Sequence, residues 1–205
     1  MTVQTQFNLL KSRLLSVKAF GCPAQFTKFL SLSIQDFDLK FRTTRSNNLE
    51  MDMIVFNGLY DPSEDKQMFP CIDVEVLYFT EQKMIETQNL DVDYILSELF
   101  ETIFHEKVHQ TQYRNRKFKA PKRYIGKTQD QTYLGCPDEI EAHAAEIAVD
   151  THVKGLMNIN EAIYNNKTYK MYVDTFGISH VVLDNLFEYS CKYFNKLQEQ
   201  NHVLY

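Results

Sequence analysis

The chain contains 205 residues, of which 44% are hydrophobic and 13% aromatic, and its net charge is −5. This size and composition predict one globular domain with a hydrophobic core, and they exclude collagen-like and low-complexity proteins because glycine and proline are scarce. The mild negative charge gives no global indication of nucleic-acid binding. Without a run of about 18 apolar residues we expect no membrane span.

The N-terminus and the cysteines bear on the cellular compartment. Residues 1–20 are amphipathic and lack the continuous apolar stretch of a secretion signal, so we expect them to belong to the fold. The four cysteines are widely spaced and form no Cys-x-x-Cys pair: Cys22, Cys71, Cys136 and Cys191. This pattern favours reduced thiols and a cytoplasmic location, the host-cell cytoplasm if the chain is viral.

The first 80 residues are predicted to form helices followed by a small sheet. An apolar stripe at helical spacing predicts a helix over residues 5–20, and a short helix or turn follows the break at Gly21-Cys22-Pro23. Alternating apolar and polar residues predict strands at 37–44, 51–56 and 71–79. We expect loops at Asn57-Gly58 and at Asp61-Pro62-Ser63, because these residue types are common in turns.

A helix with a metal-binding motif follows the predicted sheet. Residues 91–113 carry apolar residues at helical spacing and include His105-Glu106-Lys107-Val108-His109. Two histidines four positions apart share one helix face, from which both imidazoles can bind one zinc ion at about 2.0–2.1 Å. Glu106 stands beside the first histidine, where a carboxylate can accept the proton of a metal-activated water. A lone histidine on an apolar face is more often a core residue, so a metal site needs a further ligand.

A basic segment separates this helix from the next one. Between residues 114 and 127 no side chain is acidic, and the basic side chains are Arg114, Arg116, Lys117, Lys119, Lys122, Arg123 and Lys127. One interpretation is a solvated, mobile connection. The other is a cationic rim that favours acidic substrate segments or a neighbouring nucleic acid. The sequence does not distinguish between them.

The second predicted ligand-bearing helix begins at Pro137, since proline is favoured in the first helical turn. Three of its acidic residues and its first histidine fall on one narrow strip: Glu139, His143, Glu146 and Asp150. Glu141 points nearly the opposite way, so Glu139 and Glu141 cannot both face one ion. Several alanines in this helix permit the close approach of a neighbouring helix that a shared metal requires. The strip is therefore the expected source of a third ligand.

The pairing of His105-Glu106-x-x-His109 with Glu139-Ile140-Glu141-Ala142-His143 resembles the gluzincin metallopeptidases. It is also similar to ImmA/IrrE-type peptidases and to small phage-encoded metallopeptidases, and the resemblance covers residues 90–152. The resemblance implies that His105, His109 and Glu139 bind Zn2+. It also implies that Glu106 is the general base.

One residue departs from that family pattern. His143 stands where Asp or Asn is usual, at a position that orients a ligand histidine through a hydrogen bond. A neutral histidine could accept this bond, bind the metal itself or face the substrate. Glu139 therefore ranks ahead of His143 and Glu141 as the third ligand.

The resemblance further implies an α+β, zincin-like fold, in which a small antiparallel sheet precedes the active-site helix and a second ligand-bearing helix. We expect a single domain over residues 1–205. Its parts would be a helix and sheet in 1–80, metal-site helices in 90–152 and a helical C-terminal part in 155–205. In zincins an edge strand of the sheet pairs with an extended peptide substrate.

The expected activity is zinc-dependent hydrolysis of a peptide or protein substrate, with Glu106 as general base. A second electrophile usually stabilises the oxyanion. The candidates are Tyr133, Tyr124, Tyr113, His143, His152 and His180. The alternative is a zincin-scaffold binding or regulatory protein with lost or restricted catalysis, which the His143 departure allows. A third and weaker hypothesis, prompted by the basic segment 114–127, is a protease that acts beside nucleic acid.

Overall fold

Strands and short helices alternate along the first half of the chain. The computed structural model describes residues 2–34, 36–121 and 123–202, and only the backbone of 201 and 202. These residues group into a first unit, Val3–Glu106, and a second unit that begins at Lys107. The elements up to the first long helix are α1 (Val3–Leu15), β1 (Ala19–Phe20), α2 (Pro23–Ser33), β2 (Leu39–Ser46), β3 (Ile54–Tyr60), α3 (Pro62–Lys66), β4 (Ile72–Phe79), β5 (Ile85–Glu86) and a 3-10 turn (Thr87–Asn89).

β4 is the central strand of a three-stranded sheet with the order β2–β4–β3. It pairs parallel to β2 and antiparallel to β3, so Val74 lies opposite Phe41 on one side and Gly58 on the other. β1 and β5 form a separate antiparallel pair. The expected antiparallel pairing therefore holds for β3–β4 and β1–β5, whereas β2 runs parallel to its neighbour.

The core of the first unit lies on the buried face of this sheet. The inward residues of β4 are at most 1% exposed: Ile72, Val74, Val76 and Tyr78. α2 adds Phe26 and Leu30, both fully buried. The Tyr78 hydroxyl lies 2.7 Å from the Thr27 hydroxyl and 3.1 Å from the carbonyl of Pro23, which fixes the start of α2 to β4. A buried phenol that is hydrogen-bonded in this way keeps its apolar ring in the core without a desolvation cost.

Several boundaries differ from the sequence predictions. The strand expected at 51–56 is β3, Ile54–Tyr60, and the loop expected at Asp61-Pro62-Ser63 contains the start of α3. α1 ends at Leu15 rather than residue 20, because Ala19 and Phe20 pair with β5 instead. Phe37, predicted to open the first strand, precedes β2 and is 75% exposed. The predicted loop at Asn57-Gly58 lies inside β3, where both residues pair with β4. Turn-type residues in a strand usually mark a close approach of other groups, and Gly58 is such a site, as described below.

A long helix, α4 (Val92–Asn115), follows the 3-10 turn. The second unit is otherwise built from short and long helices: α5 (Gln129–Leu134), α6 (Pro137–Val153), α7 (Ile159–Ala162), a 3-10 turn (Ile163–Asn165), α8 (Lys167–Phe176) and α9 (Val181–His202). Helices in this region agree with the expected helical C-terminal part, residues 155–205. α7 and the 3-10 turn are the shortest of these elements, with four and three residues.

α6 is the central helix of the second unit and packs against α8 and α9. Its alanines are almost fully buried, and Ala142 and Ala145 form one cluster with Val108, against which Tyr193 of α9 packs. Small side chains allow this close packing, as predicted. The α+β class is confirmed. Among the described residues, no helix has the length and apolarity needed to cross a membrane.

Candidate metal centre

The motif histidines lie on one uninterrupted stretch of α4. His105 and His109 are one helical turn apart, so their side chains share a face. Both are largely enclosed: His105 is 8% exposed, and the side chain of His109 is 14% exposed. The predicted placement of two imidazoles on one buried helix face is therefore present.

Glu139 in the first turn of α6 meets the second histidine. The Nε2 atom of His109 lies 3.5 Å from Oε1 of Glu139, and the side chains are 14% and 15% exposed. The candidate ligand atoms of His105, His109 and Glu139 all lie within 4.8 Å of one another. The residues proposed as ligands from the sequence are thus brought together in the structure.

Gln112 determines which nitrogen of His109 is available to a metal. The Gln112 amide nitrogen donates to the backbone carbonyl of Asp138 at 3.1 Å and to Oε2 of Glu141 at 3.0 Å. Because both of these partners only accept, the other amide atom must be the oxygen, and it lies 3.0 Å from Nδ1 of His109. Nδ1 therefore carries the proton and donates it to Gln112. In a neutral ring, this leaves the lone pair on Nε2, which faces Glu139.

This tautomer places two acceptors opposite each other. The Nε2 lone pair of His109 and the Glu139 carboxylate are 3.5 Å apart. Two acceptors repel in a buried site unless a proton or a metal cation lies between them. Ligand atoms at about 2.1 Å from a tetrahedral zinc ion stand about 3.4 Å apart, so this separation fits the span of two zinc ligands. Two imidazoles and one carboxylate are also a donor set that zinc accepts while keeping one position open.

Glu141 has a structural role instead. Its Oε2 accepts from Gln112, and its Oε1 accepts from the Tyr193 hydroxyl at 3.0 Å. Burial and the adjacent carboxylate raise the pKa of Tyr193, which keeps the phenol protonated as a donor. The carboxylate thus joins α4, α6 and α9 through hydrogen bonds. The preference for Glu139 over Glu141 as third ligand agrees with this arrangement.

His143 pairs with a carboxylate one turn further along α6. Its Nδ1 lies 2.9 Å from Oε2 of Glu146, and the same oxygen accepts from the Thr168 hydroxyl of α8 at 3.3 Å. His143, Glu146 and His105 form a second set of candidate ligand atoms within 4.8 Å of one another. Because Oε2 of Glu146 already accepts hydrogen bonds from His143 and Thr168, we do not assign this set as a second cation site.

Glu106 lies against β3 in the first unit. It is 8% exposed, and a methyl group on Gly58 would come within 2.5 Å of its Oε1 and 2.6 Å of its Cγ. Glycine at this position therefore leaves the space that the carboxylate occupies. This explains why a turn-type residue interrupts the apolar side of a strand, a reason that the sequence alone did not reveal.

The basic segment is attached to its surroundings at several points. Arg116 forms two hydrogen bonds with the Asp138 carboxylate, at 2.8 and 2.6 Å, and its guanidinium lies over the Tyr113 ring. The ring of Tyr124 packs on Phe176 and fills the space above Gly135, where an added methyl would lie 2.3 Å from it. The exposed basic residues are Arg114, Lys117, Lys119, Arg123 and Lys127. Lys122 lies outside the described residues.

Several of the oxyanion candidates have other contacts. Tyr113 lies beneath Arg116, Tyr124 packs on Phe176, and Tyr133 is 54% exposed. His152 is buried beside Phe194, and the ring nitrogen of His180 accepts from the Val182 amide at 3.2 Å. These contacts single out none of them as the oxyanion donor.

Sequence reasoning missed three residues that contact predicted site residues. Gln112 contacts His109, Thr168 contacts Glu146, and Tyr172 packs on His143. Gln112 had a local signal, since it follows His109 by three positions and shares its face. The α8 residues had no local signal, because only the tertiary packing of α8 on α6 brings them near.

Comparison with protein-family profiles, with curated proteins and with solved structures found no match for this chain.

Proposed function

We propose that this protein is a zinc-dependent peptide-bond hydrolase of zincin-like architecture, with Glu106 as its general base. The proposal rests on one observation above the others. The Nε2 lone pair of His109, oriented by Gln112, faces the Glu139 carboxylate at 3.5 Å in a buried site next to His105. A bound cation explains why these groups converge in the protein interior.

Zinc would be held by His105, His109 and Glu139, and when bound it would lower the pKa of a water molecule and polarise the scissile carbonyl. Glu106 would accept a proton from the attacking water molecule and deliver it to the nitrogen of the leaving amine. The backbone of β3 at Gly58 limits the directions in which the Glu106 carboxylate can turn, which favours one proton-accepting geometry. β3 is also an edge of its sheet, so an extended peptide could pair with its outer side.

The burial of the proposed catalytic residues supports the alternative function. His105 and Glu106 are each only 8% exposed, so a peptide has limited access to the proposed general base. This burial favours a zincin-scaffold binding or regulatory protein whose catalysis is restricted until a partner opens the site. We also propose a cytoplasmic location for the protein. A nucleic acid near the basic segment 114–127 is the weaker proposal of a protease that acts beside nucleic acid.

Glu106→Gln separates catalysis from metal binding. The variant keeps the shape of the side chain but cannot accept a proton, so we expect it to retain zinc and to lose hydrolysis by at least about 100-fold. Zinc content and cleavage of a diverse peptide library would be measured on both proteins. If the unaltered protein binds zinc and cleaves nothing, the binding function is favoured. If Glu106→Gln cleaves as well as the unaltered protein, Glu106 is not the base.

A further inference from the structure

The seam between α6 and α8 contains a buried hydroxyl that the proposed mechanism does not use. Tyr172 is fully buried, and within the described residues its hydroxyl makes no hydrogen bond. Burying a hydroxyl without a partner is costly, so a retained one calls for an explanation. The side chain lies on α8, beside the face of α6 that carries the candidate ligand.

The contacts between α6 and α8 define where this hydroxyl is. Asn166 donates to Asp150 at 3.0 Å, Thr168 donates to Glu146, and the Tyr172 ring packs edge-on against His143 with centroids 5.5 Å apart. Residues with higher numbers on α8 contact residues with lower numbers on α6, so the two helices are antiparallel here. The next residue of the α6 strip beyond His143 is Glu139. The Tyr172 ring therefore packs on this strip at His143, about one helical turn from Glu139.

The electrostatic surroundings agree with this placement. Burial raises the pKa of Tyr172 most, and the carboxylates of Glu139 and Glu146 raise it further. A neutral phenol can donate a hydrogen bond to a carboxylate. Glu146 already accepts from His143 and Thr168, which leaves Glu139 as the carboxylate whose position the phenol can set.

We propose that Tyr172 is a positioning residue for the metal ligand Glu139, to which its hydroxyl donates a hydrogen bond when a cation is bound. This inference rests on the proposed zinc site. Full burial separates the hydroxyl from any bound peptide, so it acts through Glu139 and not on the substrate. A donor on one carboxylate oxygen leaves the other oxygen to face the metal and limits rotation of the ligand.

Tyr172→Phe tests the proposal without changing the ring. Zinc affinity would be measured by competition with a chromophoric chelator, and the visible absorption of the Co2+-substituted protein would report ligand geometry. We expect zinc affinity to fall about 10- to 100-fold and the Co2+ spectrum to change. The melting temperature of the metal-free protein should stay the same or rise, because the variant no longer buries an unpartnered hydroxyl.

Tyr169→Phe is the matched control, since Tyr169 lies on the same helix, is 7% exposed and packs on Tyr164. It should leave zinc affinity and the Co2+ spectrum unchanged. Equal affinity and identical spectra for Tyr172→Phe and the unaltered protein would overturn the role of Tyr172 while leaving the zinc site in place. Absence of zinc binding by the unaltered protein would overturn the proposed function and, with it, this inference.

Discussion

Gly58→Ala should displace the proposed general base. An added methyl would lie 2.5 Å from Oε1, 2.6 Å from Cγ and 2.9 Å from Cδ of Glu106, all far inside van der Waals contact. Gly58 is not among the glycines with a positive φ, so alanine fits the backbone and the clash alone is tested. Overpacking of this kind costs about 1–3 kcal/mol of unfolding free energy. A displacement of about 1 Å in a catalytic group can lower turnover about 100-fold.

A double-mutant cycle isolates the contact. In a Glu106→Ala background the space is free, so Gly58→Ala should be neutral or stabilise the protein by about 0.5–1 kcal/mol. Urea unfolding of the four proteins would measure the coupling. Leu59→Ala, on the exposed face of the same strand, is the control and should show no coupling. Equal destabilisation by Gly58→Ala in both backgrounds would refute the reasoning.

Two further predictions concern stability away from the ligands. Arg116→Gln removes the paired hydrogen bonds to Asp138 and should lower the unfolding free energy by about 1 kcal/mol. Arg123 is exposed, so Arg123→Gln is the control and should change the unfolding free energy little. Equal effects of the two substitutions in urea unfolding would contradict this prediction. Burial lowers the pKa of His152 below 6.5, so the unfolded chain takes up its proton first and stability should fall as the pH drops below that value. His152→Asn should weaken this pH dependence, and unchanged slopes between pH 7 and pH 5 would show that His152 does not cause it.

The helices of the metal centre were predictable because their signals are local. The spacing of His105 and His109 and the strip that begins at Glu139 follow from helical periodicity, and proline marks the start of α6. The helices α1, α4 and α6 and all three strands of the main sheet were expected near their observed positions. Periodicity reports which residues share a face, so it serves best where an element has one buried side.

The remaining features depend on contacts between distant parts of the chain. The place of β4 between β2 and β3 cannot be read from strand patterns, which do not encode the order of strands. Gly58 looked like a turn residue because its reason, the carboxylate of Glu106, is 48 positions away in the sequence. Tyr172 likewise acquires its surroundings only when α8 packs on α6.

The central claim is that His105, His109 and Glu139 hold one zinc ion, and the two neighbouring carboxylates of α6 test it most directly. Metal content would be measured on the purified unaltered protein, on Glu139→Gln and on Glu141→Gln. The account predicts one zinc per chain in the unaltered protein and loss of zinc in Glu139→Gln. Glu141→Gln should also hold one zinc per chain, because it keeps the Glu139 carboxylate. Zinc-free unaltered protein would mean that a protonated His109 merely pairs with Glu139. Zinc retained by Glu139→Gln but lost by Glu141→Gln would contradict the ligand assignment.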